Sequence, residues 1–215
     1  TGLYHALLGR GLVNDVNGAY PHHNGSIGQL PMEGDKPVHN VYNTDAIWGG
    51  QWNLAQIWAL AYPEYLSDYI SSHLQAYKDA GWLADGLANN RYVSGVGTNL
   101  LSTVIAGAYQ CGIRDFDTKL AYEACLKNEL DGKNRPLGAG KVDTEMFVKY
   151  GYVPHLDEGN GPDEAFMFSA SHTLEYSYSA WAVAQWAKEN GDEKNYNELM
   201  RLSKGWESCL LYTSD

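Results

Sequence analysis

The stretch Thr173-Leu-Glu175-Tyr176-Ser-Tyr178-Ser-Ala-Trp181 sets one carboxylate among aromatic rings at the start of a helix-forming run. Glu175 has two readings. A carboxylate in a first helical turn is stabilised by the helix dipole. A carboxylate among rings at a pocket wall accepts hydrogen bonds from sugar hydroxyls or acts as an acid. Gly81-Trp82-Leu83 places an indole just past a helix end. It either stacks on a pyranose face or closes a helical hairpin by packing. Ile47-Trp48-Gly49-Gly50-Gln51-Trp52 opens another helix. Its glycines either let a second group approach the backbone or simply form a turn.

Composition agrees with sugar chemistry without requiring it. The 215 residues hold 7 Trp and 16 Tyr against 4 Phe, so ring-bearing residues with a polar tip dominate. They suit either a sugar-stacking surface or an aromatic core. The formal net charge of −11 disfavours nucleic acid and anionic membranes as partners. No apolar run reaches the roughly 18 residues of a membrane span. The cysteines Cys111, Cys125 and Cys209 have no metal-site spacing. His22, His23, His39, His155 and His172 lack the helical spacing of a zinc motif, so no metal ligands are assigned. Nucleophile-elbow, phosphate-loop and dinucleotide fingerprints are absent from the sequence.

Helical segments must position these residues. Leu3 to Leu12 reads as a helix tail, and Asn14 to Thr44 as a long polar loop. A loop that long is functional or holds short strands; the Asn17-Gly18 pair there predicts a small β-hairpin, and no strand is expected outside this loop. Helices are predicted over Trp48 to Ala61, from Pro63 to the Gly81 stop, and over Asn99 to Gln110. Asp117 caps the next, Asp143 a short one ending at Gly151, and Asp192 the last. A long helix opens at Ser171 or Thr173 and runs to Asn190; Gly159-Asn-Gly-Pro162 reads as an exposed loop. The predicted fold is all-α, about three antiparallel helical hairpins joined by longer loops.

Six segments, in order, resemble glycoside hydrolase family 92. The family's "SDVDGRY" is similar to Asn14-Asp-Val-Asn-Gly-Ala-Tyr20, and "YSTFSLWDTYR" to Tyr42-Asn-Thr-Asp-Ala-Ile-Trp48-Gly49-Gly50-Gln-Trp52. "GGWLPKW" is similar to Ala80-Gly-Trp82-Leu-Ala-Asp85, and "AYxKGIRxFDxExAYEA" to Ala108 through Ala124. "LGYVP" corresponds to Tyr150-Gly-Tyr-Val-Pro154, and "SxTLEYAYDDWxxAQxAK" to Ser171 through Lys188.

The resemblance implies about half of an (α/α)6 toroid spanning residues 1–215, truncated at both ends. A preceding β-sandwich and the remaining hairpins would be its partners. It implies a calcium-dependent, inverting exo-α-mannosidase, secreted or periplasmic and bacterial, removing terminal α-mannose, α-1,2-linked, from glycans. The sugar-contacting candidates are Trp48, Gly49, Trp82, Asn99, Glu175 and Tyr176. Gly49 stands where the family's "WDT" carries an aspartate, and Ser179-Ala180 where "DDW" carries two. The first change points to altered sugar specificity; a non-catalytic carbohydrate-binding protein is the alternative. The family's acid lies in a later "EGN" motif, its base and calcium ligands in later "GNEP" and "GNDD" motifs. All are expected outside this chain, which alone is expected to be inactive, with apolar faces exposed at its edges. The segment after Cys209 is expected to be a truncation or assembly artefact.

Overall fold

The computed structural model describes residues 11–44, 47–155 and 168–209, together with Gly2 and Tyr4. The expectations for the Leu3 to Leu12 helix tail, the 159–162 loop and the 210–215 tail fall largely or wholly outside the described residues.

The expected hairpins are present. Helices α1 (Ile47–Gly50), α2 (Leu54–Ala61) and α3 (Pro63–Ala80) come first. Then follow α4 (Leu101–Gln110), α5 (Thr118–Leu130), α6 (Thr144–Tyr150), α7 (Ser169–Glu189) and α8 (Glu193–Leu202). Pro63 starts α3 and Gly81 ends it in the left-handed region, as read from sequence. Asp117 and Asp192 cap α5 and α8 by accepting from Leu120 N at 3.0 Å and Asn195 N at 3.2 Å.

Antiparallel pairs α2/α3, α4/α5 and α7/α8 stack in two layers. The layer of α2, α4 and α7 lines a largely apolar groove of about 840 Å³, floored by Ala55, Ala106 and Gly107 and edged by Tyr178 and Trp181. Helices α3, α5 and α8 back it. The core between the layers includes Trp58, Ile70, Leu74, Ile105, Cys125, Val183 and Trp186. Trp186 stacks on Tyr109 at a centroid distance of 4.3 Å.

Four expectations need correction. The Trp48 to Ala61 run is two helices, broken at residues 51–53 after Gly49-Gly50. Helix α7 begins at Ser169, so Glu175 lies in its second turn, away from the unpaired N–H groups of the first. Asp143 precedes α6 in the left-handed region and makes no capping hydrogen bond. The Asn17-Gly18 turn lies ahead of the hairpin instead of at its tip: β1 (Ala19–Pro21) pairs with β2 (Ile27–Gln29) across His22 to Ser26.

Two more hairpins occur, β3 (Met32–Glu33) with β4 (Lys36–Pro37) and β5 (Leu87–Ala88) with β6 (Arg91–Tyr92). The last lies outside the loop in which strands were expected. Its turn residues Asn89 and Asn90 have φ of 48° and 57°, the primed geometry that asparagine tolerates.

His73 on α3 is fully buried, edge-on to Tyr69, and neither ring nitrogen has a hydrogen-bond partner among the described residues. Burial lowers its pKa to about 3. The unfolded chain takes up this proton near pH 6.5, the folded chain only near 3. Stability from this group is therefore full above about pH 6.5 and falls by about 1.4 kcal/mol per pH unit down to about 3. Urea unfolding at pH 7 and pH 4.5 is expected to show His73→Leu losing less stability on acidification than the parent.

Candidate functional site

Trp48 and Glu175 meet although 127 residues separate them: the indole Nε1–H donates to Glu175 Oε1 at 2.5 Å. Trp48 is 43% exposed, so its ring face is open to solvent. Gly49 beside it has no heavy atom within 4 Å of where a Cβ would sit, so the flank is open. The second Glu175 oxygen is enclosed without a hydrogen-bond partner among the described residues.

A backbone strap of three laddered segments leads from the Trp48 helix to α7. Thr44 N donates to Leu87 O at 2.9 Å and Ile47 N to Asp85 O at 3.1 Å, which fixes the start of α1 and so Trp48. Asp85 N in turn donates to Gly138 O at 3.0 Å, and Gly140 N to Leu83 O at 2.8 Å. Thr44 and Ile47, with residues 83–87 and 138–140, thus form a narrow ladder. The strap continues into α7: Tyr176 OH donates to the Val142 carbonyl, and His172 Nδ1 lies 3.7 Å from Asp143 Oδ2.

Below the strap lies an ion pair. Lys141 Nζ is 2.5 Å from Glu129 Oε2, each side chain 1% exposed. Ser179 Oγ donates to the other Glu129 oxygen at 2.7 Å. Burial pulls the Lys141 pKa down, and the Glu129 carboxylate opposes that shift. Asp85 is also buried; its Oδ2 accepts from Gly95 N at 3.0 Å and Gly97 N at 3.1 Å, tying in the next loop. Burial raises the Asp85 pKa, and those N–H groups oppose it.

Of the six sequence candidates, the structure brings Trp48, Gly49 and Glu175 to one place. Trp82, Asn99 and Tyr176 are buried. The Trp82 ring is covered by Lys127, whose Nζ lies 4.2 Å from its centroid. Asn99 Nδ2 donates to Leu83 O at 3.0 Å. Sequence reasoning passed over Lys141, Glu129 and Asp85. Only a charged residue within an apolar-patterned stretch could have marked them.

It also passed over the tripeptide Glu158-Gly159-Asn160, which does spell "EGN". That tripeptide precedes the Ser171 to Lys188 stretch, whereas the family's motif follows it, and it lies outside the described residues. Among the described residues no three or more His, Cys, Asp or Glu side chains are placed to hold a metal ion. Among them, too, no helix is long and apolar enough to cross a membrane.

Gly138 is the tightest point of the ladder, at φ +79°, and an added Cβ would lie 2.7 Å from the Val93 carbonyl carbon. Gly138→Ala is expected to cost about 2–3 kcal/mol in denaturant unfolding.

A curated secreted glycosidase of unassigned specificity from the fungus Arthroderma benhamiae is 30% identical over 159 residues, 72% of this chain and 20% of that protein. Two solved structures from the bacterium Bacteroides thetaiotaomicron share the fold. A family GH92 inverting mannosidase superposes with TM-score 0.78 at 20% identity, over 95% of this chain and 26% of its own. A family GH92 α-mannosidase in complex with mannoimidazole superposes with TM-score 0.74 at 22% identity, over 95% of this chain and 24% of its own. This chain therefore spans between 20% and 26% of the length of these relatives. The model of the glycosyl hydrolase family 92 catalytic domain matches residues 1–212, and the chain belongs to that family.

Proposed function

We propose that this chain forms part of the sugar-binding wall of a glycoside hydrolase that removes terminal α-mannose from glycans with inversion. The observation that carries this reading is the contact of Trp48 and Glu175, in a family 92 catalytic domain. An exposed indole offers a stacking surface to a pyranose ring, and the Glu175 oxygen that takes the indole N–H keeps a second lone pair for a sugar hydroxyl. An indole N–H donor to one carboxylate oxygen fixes that carboxylate's direction. Glu175 is then a binding residue; the acid and base that inversion requires come from other parts of the protein.

Calcium, implied by the family resemblance, would be held by other residues of the protein. A secreted location is supported by the description of the fungal relative. Loss of the family's aspartate at Gly49 supports a second reading, a terminal sugar other than mannose. An open flank beside Trp48 leaves room for a different substituent.

The full-length protein is expected to release mannose from α-1,2-mannobiose, with β-mannose as the first anomer seen by proton NMR. Turnover of other α-glycosides with none of α-mannosides would favour altered specificity. Binding without turnover of any glycoside would favour a carbohydrate-binding protein. Glu175→Gln is expected to weaken substrate affinity about tenfold without moving the acidic limb of the pH profile. Abolished activity that returns only with activated leaving groups would make Glu175 the acid instead.

A further inference from the structure

We propose that Lys141 is a positioning residue for this wall: it fixes the roll of α7 and so keeps Glu175 against Trp48. The inference rests on the reading of Trp48 and Glu175 as sugar-binding. At 1% exposure Lys141 touches no substrate, so any effect on binding passes through its neighbours.

The need for such a device follows from the packing of α7. Its middle and end are packed through Ala180, Val183, Ala184, Trp186 and Ala187, all buried. Trp186, stacked on Tyr109 about three turns beyond Glu175, is the large knob of that half, and the small side chains between it and Ser179 let helices approach closely but define rotation weakly. Around Glu175 polar contacts define it. His172, Tyr176 and Ser179 follow one another along one stripe of α7, spaced four and three residues apart. His172 faces Asp143, Tyr176 OH donates to the Val142 carbonyl, and Ser179 Oγ donates to Glu129.

Lys141 sits at the centre of these contacts. Its ammonium pairs with Glu129 at 2.5 Å and lies 5.1 Å from the Tyr176 ring centroid. Glu175 borders the same stripe and is among the charges that act on the ammonium. The enclosed Glu175 oxygen lacks a hydrogen-bond partner among the described residues, while its other oxygen takes the Trp48 indole. Glu129 balances the same cation from α5, and Ser179 ties that balance back to α7 one turn beyond Glu175.

The test uses the full-length protein, labelled with 15N at tryptophan, with the Trp48 indole resonance assigned through Trp48→Phe. Lys141→Gln removes the charge and keeps a donor for Glu129. It is expected to shift or broaden the Trp48 indole resonance and to raise KM for an α-mannoside about tenfold, with kcat within about twofold. Lys141→Arg is expected to restore both readouts. Ser179→Ala cuts the tie to α7 without stranding a charge, and is expected to move both in the same direction by less. It decides the matter should Lys141→Gln fail to fold. An unchanged indole resonance and unchanged KM in a folded Lys141→Gln or Ser179→Ala protein would overturn the proposal. Absence of α-mannoside turnover in the unaltered protein would instead count against the functional reading. The indole resonance would then decide the role of Lys141 by itself.

Discussion

A single buried ion pair, Lys141 with Glu129, organises the region around the site. Removing two charges from water costs several kcal/mol per ion, and attraction at short range repays this only when the remaining lone pairs and protons find partners. Here Ser179 takes the second oxygen of Glu129, and the Tyr176 ring lies beside the ammonium. The pair is satisfied only while α5, α7 and the strap before α6 hold their present places. Its cost therefore becomes specificity: an alternative packing of these three elements would leave a charge stranded. The ladder of Thr44, Ile47 and residues 83–87 and 138–140 carries the same constraint to α1 and Trp48. A chain with few strands thus uses a short piece of sheet-like backbone to join two helices that do not follow each other in sequence.

Much of the helical frame was legible in the sequence because its signals are local. Pro63, Gly81, Asp117 and Asp192 act on their own turns, and each sits where the sequence places it. The misread features depend on distant partners. Asp143 has the composition of a cap, yet its carboxylate faces His172 on another helix. The extended start of α7 at Ser169 has no cap signal, since Phe168 stands at its N-cap and makes no side-chain bond. The β5–β6 turn uses Asn89-Asn90 in place of the usual Asn-Gly, which hides a primed turn from a search for glycine.

In the candidate site, residue type was legible in the sequence and mutual placement was not. Trp48 and Glu175 could be singled out by residue type, but their contact spans 127 positions and no local pattern encodes it. Trp82 and Tyr176 carry the same residue-type signal and are buried instead. An aromatic side chain announces large contact area without saying whether protein or solvent will share it. The inner layer makes the point from the other direction: Tyr178 and Trp181 are 41% and 50% exposed along the groove. Composition alone gives them no different standing from Trp186, which is enclosed.

The small-residue packing of α7 has a bearing on how such a domain can drift over generations. Exchanges among small apolar side chains at Ala180, Ala184 or Ala187 change local volume but leave the angular setting of the Glu175 end to its polar contacts. Variation that re-aims this end is thus concentrated at a few polar positions. A lineage that altered Ser179 or Glu129 would re-aim the exposed wall in one step. The scaffold beneath would be largely conserved, so new pocket geometries would be reachable without a new fold.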